Sequence, residues 1–456
     1  MISIFHGRGY NNRKKMSNIL KLINIIRNNN RSPFFGFIGN HLGFCKSEYK
    51  KISLLVGEQN PSLVEDFELT YSKLVGNGKS TSFATGRMGF FALLQALDIG
   101  SGDEVILQGA SCAVMANAIL RRKATPIYAD IDIKTFGSCA KSIDKMISTK
   151  TKMIIAQHSF GIPCDILPII KLARSRNIFL LEDCALTFGS SVNNKIVGNF
   201  GDAALFSCDH TKPINTLVGG LIYTSCELLH NKLQGIKESA PEVETIRQKR
   251  LFKQLCLEAK FSDPKKFGRF RLLSLMRRKI FRIQSGFFDD DFGLPEKTSP
   301  YNYPLRLPPF LAQRGIKELQ NWSSTQSTRI KIGKLILKYL RDAGFEKYLT
   351  VYSQQELKIV PLRIAFTSPV SDKIKHQLND FLDCEAIWFR EPLEGAKTNI
   401  QALGYIPGSC PISEKASSGM INFPCNMTSN SGIILSQKLE KKITALRALL
   451  EGENSS

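Results

Sequence analysis

Short apolar runs alternate with amphipathic segments along the first half of the 456-residue chain. Runs such as MIIA (153–156) and IFLL (178–181) are apolar at every position, which is typical of strands whose two faces are both covered. Between these runs, apolar residues recur at helical spacing. The alternation predicts an α/β domain with a mostly parallel central sheet covered by helices.

The predicted elements follow one another closely between about Thr70 and Ser225. The predicted strands are DEVILQG, ATPIYADID, KMIIAQH, IFLLEDC, DAALFSC and GGLIYTS. The predicted helices are VEDFELTYSKLV, RMGFFALLQAL, CAVMANAILRR, SIDKMIS and DILPIIKLARSRN. In such a sheet, ligands bind at the carboxyl ends of the strands, so the polar residues that follow the strands are the candidates for a site.

The pattern divides the chain into four parts. We predict a basic N-terminal extension (1–63), a large α/β domain (64–228), a basic insertion (229–299) and a smaller α+β domain (300–456). In the last part, helices are predicted between Leu311 and Leu340, and strands at LKIVPLRIAF, AIWF and MINFP. The chain is predicted to close with the helix QKLEKKITALRALL.

The amino-acid composition limits the classes of protein to which the chain can belong. With 43% hydrophobic and 22% charged residues, the chain has an ordinary globular composition. Its 11 cysteines occur singly and form no CxxC pair, so we expect reduced thiols, no disulfide framework and no metal site. The apolar part of the N-terminal 30 residues is too short and interrupted for a signal peptide or a membrane span, which favours a cytoplasmic location.

Much of the net charge of +22 lies in two segments, Met1–Lys50 and Arg247–Arg282. Within the second, apolar residues fall on one face of a predicted helix: Leu273, Met276, Ile280, Ile283 and Phe287. Such a helix either lies on an anionic membrane surface or packs on the protein with its arginines in solvent, and we weigh the two interpretations equally. We expect no nucleic-acid partner, since no recognition motif is present. The roles of the leader and of residues 247–284 are open.

Two candidate ligand groups follow predicted strands early in the chain. The TGR sequence at Thr85–Arg87 opens a helix, where backbone N–H groups and the helix dipole favour an anion. An ordinary helix N-cap is the commoner use of such a sequence. Asp183, at the end of the strand IFLLEDC, suits a carboxylate that keeps a cofactor's ring nitrogen protonated. Taken alone, a helix-capping aspartate or a solvated charge pair is the favoured interpretation of this residue.

A third candidate is Lys212 in the stretch FSCDHTKPINTLVGG. A lysine after a strand and near glycines can form a Schiff base if its surroundings lower its pKa. Ser207, five residues earlier, suits a phosphate, and His158 directly follows a strand, where a buried structural histidine is an equally fair interpretation. Taken together, the order and spacing of these groups match the requirements of pyridoxal 5'-phosphate.

A series of motifs runs in order through residues 82–224: DIGSGDEVIL, NAILRRKATPIYADID, TKMIIAQHSFGIPCDI, LLEDCA, VGNFGDAALFS, HTK and the GG that follows. This series resembles the DegT/DnrJ/StrS family of pyridoxal-phosphate-dependent nucleotide-sugar aminotransferases. YNYPLRLPPFLAQRGIKEL and INFPC extend the resemblance over most of the chain beyond Val64, while the leader and the basic insertion are unmatched. The resemblance implies a fold like that of aspartate aminotransferase.

The resemblance also implies roles for individual residues. Lys212 matches the lysine that holds pyridoxal phosphate and moves the substrate proton, and Asp183 matches the carboxylate that pairs with the pyridinium nitrogen. Ser207 matches the serine that binds the cofactor phosphate, and backbone N–H groups around Gly86 and Arg87 complete that site.

Three further positions bear on the cofactor. Asn302 is similar to the asparagine that a second subunit lends to the phosphate, which implies a homodimer, although Asn302 and Arg306 are spaced two residues wider than usual. Cys112 stands where many members stack an aromatic ring on the cofactor, and Leu186 stands where they carry glutamine or histidine. His158 or Phe188 are the candidates to replace the stacking ring.

By this resemblance, the chain transfers an amino group, with glutamate as the expected donor, to a nucleotide-linked keto-sugar for surface polysaccharide or related amino-sugar biosynthesis. The sequence leaves open which keto-sugar, ring position and nucleotide are used. Two alternatives remain: a protein of the same fold with different chemistry, such as sugar dehydration, and a degenerate member that binds or regulates. Relatives with the dehydratase chemistry lack the lysine, so Lys212 disfavours that branch.

Overall fold

The computed structural model describes residues 33–39, 41, 44–279, 286–295 and 301–451, without the side chains of 275–279. Its strands are β1 (Lys79–Phe83), β2 (Glu104–Gln108), β3 (Ser111–Cys112), β4 (Thr125–Ala129), β5 (Thr151–Gln157), β6 (Phe179–Asp183), β7 (Ser191–Val192), β8 (Lys195–Ile196), β9 (Ala203–Ser207), β10 (Gly220–Thr224), β11 (Leu357–Lys358), β12 (Arg363–Thr367), β13 (Leu393–Glu394) and β14 (Met420–Pro424).

The helices occupy both halves of the chain. They are α1 (Lys46–Leu54), α2 (Pro61–Val75), α3 (Gly86–Ala96), α4 (Ala113–Arg121), α5 (Ala140–Asp144), α6 (Ile166–Ser175), α7 (Glu227–Ser239), α8 (Thr245–Phe261), α9 (Phe267–Lys279), α10 (Pro309–Gln320), α11 (Trp322–Asp342), α12 (Ser371–Leu378), α13 (Pro411–Gly419), α14 (Ser429–Glu440) and α15 (Ile443–Glu451).

The central sheet has seven strands in the order β1-β10-β9-β6-β5-β2-β4. The five strands from β9 to β4 are parallel, and β10 runs antiparallel to both of its neighbours. The predicted mostly parallel sheet is therefore confirmed. Because β6 and β9 are parallel neighbours, Asp183 and Ser207 lie at the same carboxyl edge of the sheet.

One strand of this sheet escaped prediction. Strand β1 has the sequence KSTSF, and four of its five residues are buried although three are polar. Their polar groups have partners: Glu68 accepts hydrogen bonds from the backbone N–H and the hydroxyl of Ser82, and Ser72 bonds to Ser80. A hydropathy pattern cannot indicate a buried strand whose side chains are satisfied in this way.

The C-terminal part has a core of its own around the antiparallel pair β12 and β14, against which α11 and α14 pack. The predicted strands at LKIVPLRIAF and MINFP are present as β11, β12 and β14. The predicted strand AIWF is wrong, since residues 386–389 form no strand. The predicted closing helix is two helices, α14 and α15, because the chain turns between Glu440 and Ile443.

The described parts of the predicted extension and insertion pack onto the folded chain. Phe35 and Phe37 join the C-terminal core, while Phe34 packs on Phe267 and Phe270 of α9. Of the predicted apolar face in this region, Ile280 and Ile283 lie outside the described residues, and Leu273 is 37% exposed. Among the described helices, none has the length and apolar content needed to cross a bilayer. The four-part division of the chain stays a prediction.

Candidate cofactor site

A cavity of about 1510 Å³ opens at the carboxyl edge of the sheet, between the two folded parts of the chain. Six of the residues predicted from sequence line it: Gly86, Arg87, Cys112, Asp183, Ser207 and Lys212. They come from the ends of strands and the starts of helices, where the topology of an α/β sheet places its ligands.

Lys212 is a buried lysine, with only 7% of its surface exposed. It follows β9 in a tight turn in which its backbone N–H donates to the carbonyl of Asp209 at 2.9 Å. Burial lowers the pKa of the Lys212 amine, an effect that the charges of Asp209 and Asp183 partly offset. A lowered pKa increases the neutral, nucleophilic fraction of the amine near neutral pH.

Asp183 ends β6 and is 5% exposed. Burial raises the pKa of its carboxyl group, while a hydrogen bond to Oδ1 from the N–H of Ala185 at 2.9 Å and the charge of Lys212 lower it. Asp183 and Lys212 both line the same cavity. A buried carboxylate of this kind gains most from a cationic partner.

The start of α3 forms the third side of the cavity. Thr85 is its N-cap and accepts a hydrogen bond from the N–H of Met88 at 3.3 Å, so the ordinary capping role is present. A Cβ placed on Gly86 would lie 3.4 Å from the Cβ of Ser207, which puts the serine beside the helix N-terminus. Together, the free N–H groups of the first turn and the hydroxyl suit a phosphate.

The side chain of Arg87 is turned away from that helix end. Its Nε donates to Oδ2 of Asp291 at 2.5 Å and its Nη2 donates to the carbonyl of Phe288 at 2.5 Å. Asp291 is fully buried and also bonds to Arg121 and Tyr301. The segment 286–295 is thereby held at the cavity, and the main chain of Arg87, rather than its side chain, is the part that could contact an anion at the start of α3.

His158 lies behind the cavity rather than on its wall. Its Nε2 is 3.1 Å from an oxygen of Glu182, and its Nδ1 accepts from the N–H of Cys164 at 3.0 Å. His158, Glu182 and Cys184 place one atom each within 4.8 Å of one another. Glu182 also accepts from three backbone N–H groups of residues 198–201, so these atoms are occupied by hydrogen bonds within the fold.

The structure therefore does not bring His158 to the candidate site, and its contact with a cofactor stays a prediction. Phe188 also does not line the cavity, being packed among Tyr71, Phe206 and Trp322. Asn302 is exposed and lies outside the cavity of its own chain.

Sequence reasoning missed an aromatic residue at this site. Trp388 lines the cavity, and the Nζ of Lys212 lies 3.8 Å from the centroid of its ring. The segment AIWF was interpreted as a strand, which would have placed the tryptophan in a sheet. Nothing local in the sequence indicates that this tryptophan approaches Lys212 from a part of the chain 176 positions away.

Arg363 was also missed. It begins β12, lines the cavity and is only 2% exposed. Its guanidinium lies over the rings of Phe37 (4.3 Å) and Trp388 (5.2 Å) and donates to the amide oxygen of Asn422 (3.3 Å). No carboxylate of the described chain is in an ion pair with it, and burial lowers its pKa to about 9.

Comparison with known proteins agrees with this geometry. The sequence profile of the DegT/DnrJ/EryC1/StrS aminotransferase family matches residues 57–432. GDP-perosamine synthase of Escherichia coli O157:H7 is 37% identical over 169 residues, which are 37% of this chain and 46% of that protein. UDP-N-acetyl-3-dehydro-alpha-D-glucosamine 3-aminotransferase of Acidithiobacillus ferrooxidans is 33% identical over 186 residues, which are 41% of this chain and 49% of that protein. The chain thus spans about half the length of the curated relatives it matches.

Solved structures extend the comparison to the fold. An aminotransferase from Psychrobacter cryohalolentis aligns with a TM-score of 0.67 at 19% identity and covers 91% of this chain and 99% of that one. E. coli GDP-4-keto-6-deoxy-D-mannose-3-dehydratase, solved with bound hydrated pyridoxal phosphate, aligns with a TM-score of 0.64 at 20% identity. The alignment covers 91% of this chain and 100% of that one. The predicted fold class is confirmed, and pyridoxal phosphate is the cofactor of the family. The chain belongs to the DegT/DnrJ/EryC1/StrS aminotransferase family.

Proposed function

We propose that this chain is a pyridoxal-phosphate-dependent aminotransferase that passes an amino group to a nucleotide-linked keto-sugar. The observation that carries the proposal is that Lys212 and Asp183, two buried groups of opposite charge, line one cavity with the N-terminus of α3. Pyridoxal phosphate requires an amine, a carboxylate and an anion site together, so the residues present fit the cofactor.

Each of these residues has a distinct task. When bound, pyridoxal phosphate supplies an electron sink for the bonds at the donor's Cα. Asp183 holds the proton on the ring nitrogen, and Ser207 with the first turn of α3 binds the phosphate. The Nζ of Lys212 takes the proton from the donor Cα and returns it later, a role that its lowered pKa favours.

Two residues of the C-terminal part complete the site. We assign Trp388 the stacking role that is unfilled at Cys112, because its ring lies against the amine of Lys212. Arg363 is the group suited to bind the carboxylate of the amino donor, since its buried guanidinium lies on the cavity wall. Among the described residues, no carboxylate forms an ion pair with it. The donor carboxylate would supply the partner that the buried charge lacks.

The remaining assignments are proposed from the family. Glutamate is the proposed donor, and surface polysaccharide or amino-sugar biosynthesis is the proposed setting, by analogy with relatives named for GDP-perosamine and for spore coat polysaccharide. The chain is proposed to work as a cytoplasmic homodimer, with peripheral membrane contact as the open alternative. The exposed position of Asn302 supports the dimer, because a residue lent to a second copy lies outside its own cavity.

The test is a two-step reaction with separate readouts. Protein loaded with pyridoxal phosphate is mixed with L-glutamate, and 2-oxoglutarate is measured; the product is then offered a panel of keto-sugar nucleotides, with Lys212→Ala as the control. Stoichiometric 2-oxoglutarate followed by an aminated sugar nucleotide supports the proposal. Cofactor binding without reaction with any amino donor would favour different chemistry, and absence of cofactor binding would favour a binding or regulatory protein.

A further inference from the structure

The cavity is larger than the cofactor requires. Small-ligand pockets usually measure about 300–1,000 Å³, whereas this one measures about 1510 Å³. Part of the cavity wall comes from the segment predicted as a basic insertion, residues 229–299. Helix α8 borders the cavity through Ile246, Lys249, Arg250 and Lys253.

These residues occupy one edge of α8. Their spacing of three and four positions places Lys249, Arg250 and Lys253 on adjacent turns facing the cavity. We call these three residues the basic ridge. Lys249 and Lys253 are exposed and Arg250 is half-buried. No acidic side chain in the described ranges forms an ion pair with any member of the ridge.

Three other arginines at the cavity, unlike Arg363, already have a carboxylate in an ion pair. Arg271 pairs with Asp383 at 2.9 Å, Arg390 with Glu394 at 3.2 Å, and Arg87 with Asp291. The ridge is therefore a place where a polyanion would gain attraction without displacing an existing ion pair. Ammonium and guanidinium groups at this density are typical of diphosphate recognition.

Helix α8 is held firmly in position by its opposite face. Leu251 and Leu255 are fully buried, and Gln248 binds the N–H of Gly57 at 3.0 Å. Near its other end, Glu258 accepts hydrogen bonds from His41 (3.3 Å) and from His210 (2.8 Å), two residues before Lys212. The ridge is thus fixed relative to the loop that carries the amine.

An aromatic surface lies beside the ridge. Tyr49 is 46% exposed, lines the cavity and packs on Phe252 of α8, with ring centroids 5.4 Å apart. Exposed aromatic rings next to cations are suited to a nucleobase, because every base offers a face for stacking. The combination fits a nucleoside diphosphate better than an isolated phosphate.

We propose that the basic ridge binds the diphosphate of the nucleotide-linked substrate, with Tyr49 against its base. The inference rests on the proposed function and assigns its second substrate to residues of the insertion. It also assigns the basic residues of α8, which lie in the basic segment Arg247–Arg282, to a ligand of the cavity rather than to an anionic membrane. Because the attraction is electrostatic at a partly open site, it should weaken as salt rises.

The experiment measures binding of GDP, UDP, dTDP and pyrophosphate to the full chain by calorimetry, together with sedimentation on phosphatidylglycerol vesicles. The variant is Lys249→Glu/Lys253→Glu, and the matched control is Lys331→Glu/Lys334→Glu, which changes two exposed lysines of α11 that do not line the cavity. We expect at least a tenfold loss of nucleoside diphosphate affinity in the ridge variant and an unchanged affinity in the control. Tyr49→Ala should weaken the nucleotides but not pyrophosphate.

Equal affinities in the wild type and the ridge variant, or no binding of any nucleoside diphosphate to the wild type, would overturn the inference. Loss of vesicle sedimentation with intact nucleotide affinity would overturn it in favour of a membrane-binding role. These failures are separate from failure of the proposed function, because the release of 2-oxoglutarate from glutamate requires Lys212 and pyridoxal phosphate but no nucleotide.

Discussion

The Nζ of Lys212 lies 3.8 Å from the centroid of the Trp388 ring, which brings the C-terminal part of the chain against the amine of the α/β domain. Lys212 follows β9, whereas Trp388 follows α12 and lies outside any strand. The candidate site is therefore formed only when both parts are folded together.

Replacing Trp388 should weaken cofactor binding. A ring that stacks on another aromatic system or on a cation contributes about 0.5–2 kcal/mol, so Trp388→Leu should raise the dissociation constant of pyridoxal phosphate by roughly 2- to 30-fold. Trp388→Phe keeps a ring and should retain most of the affinity. Spectrophotometric titration with the cofactor measures both variants, and equal affinities of the leucine variant and the wild type would remove Trp388 from the site.

Gly220→Ala should disrupt the phosphate site. A Cβ at this position would lie 2.2 Å from the Cα and 2.4 Å from the N of Gly86, so β10 and the start of α3 would have to move apart. We expect a loss of at least about 2 kcal/mol in unfolding free energy, as for other overpacked positions, together with weaker cofactor binding.

The matched control for this change is Gly235→Ala. Gly235 lies inside α7, and nothing lies within 4 Å of the Cβ that alanine would add. Alanine should stabilise the protein by up to about 1 kcal/mol there. Denaturant unfolding compares the two variants. Similar effects of both substitutions would contradict the close approach of Gly220 and Gly86.

The pair of Glu258 and His210 predicts a pH-dependent stability. Burial disfavours the charged form of His210, but the carboxylates of Glu258 and Asp209 outweigh burial and raise the pKa of His210 to about 9. Burial alone would raise the pKa of Glu258, but His210 and His41 outweigh it and lower the pKa of this carboxyl group to about 2. A histidine whose pKa is raised on folding stabilises the folded state. This stabilisation is complete below the pKa of the unfolded chain, about 6.5, and is lost as the pH rises through the folded-state pKa of about 9.

The measurement is the unfolding free energy between pH 7.5 and 9.5, where the histidines of the unfolded chain are neutral. Over this interval, the unfolding free energy of the wild type should fall by on the order of 2 kcal/mol more than that of Glu258→Gln, because only the wild type contains the ion pair between Glu258 and His210. Parallel pH profiles of the two proteins would show that the pair contributes no such stabilisation.

Arg363→Gln should weaken binding of the amino donor and leave binding of the keto-sugar unchanged. If the guanidinium holds the donor carboxylate, the KM for glutamate should rise at least tenfold, with the KM for the sugar nucleotide unchanged. Arg363→Lys keeps a charge without the planar fork and should restore part of the affinity. A merely structural role would instead lower the melting temperature and change both KM values together.

How much the sequence could predict depended on whether the relevant contacts were local. The strands ending at Asp183 and Ser207 are continuous apolar runs with a polar residue at the end, so their fold and their place at one edge followed from the pattern. Family motifs then assigned Lys212. Both inferences depended on short stretches of chain.

Trp388 and Arg363 could not be found in that way. Each reaches the cavity through packing between distant segments, and neither belongs to a motif near Lys212. The position of His158 could not be predicted for the same reason. It follows a strand of the site, but its ring is directed towards Glu182 instead of the cavity. Adjacency along the chain does not settle which side of a sheet edge a side chain occupies.

The central claim is that Lys212 holds the cofactor. Protein incubated with pyridoxal phosphate is reduced with borohydride, digested and examined by mass spectrometry, with Lys212→Ala treated in parallel. We expect one phosphopyridoxyl group on the peptide that contains Lys212 and none in the variant. A group attached mainly to another lysine, or no attachment in the wild type, would show that Lys212 does not hold the cofactor.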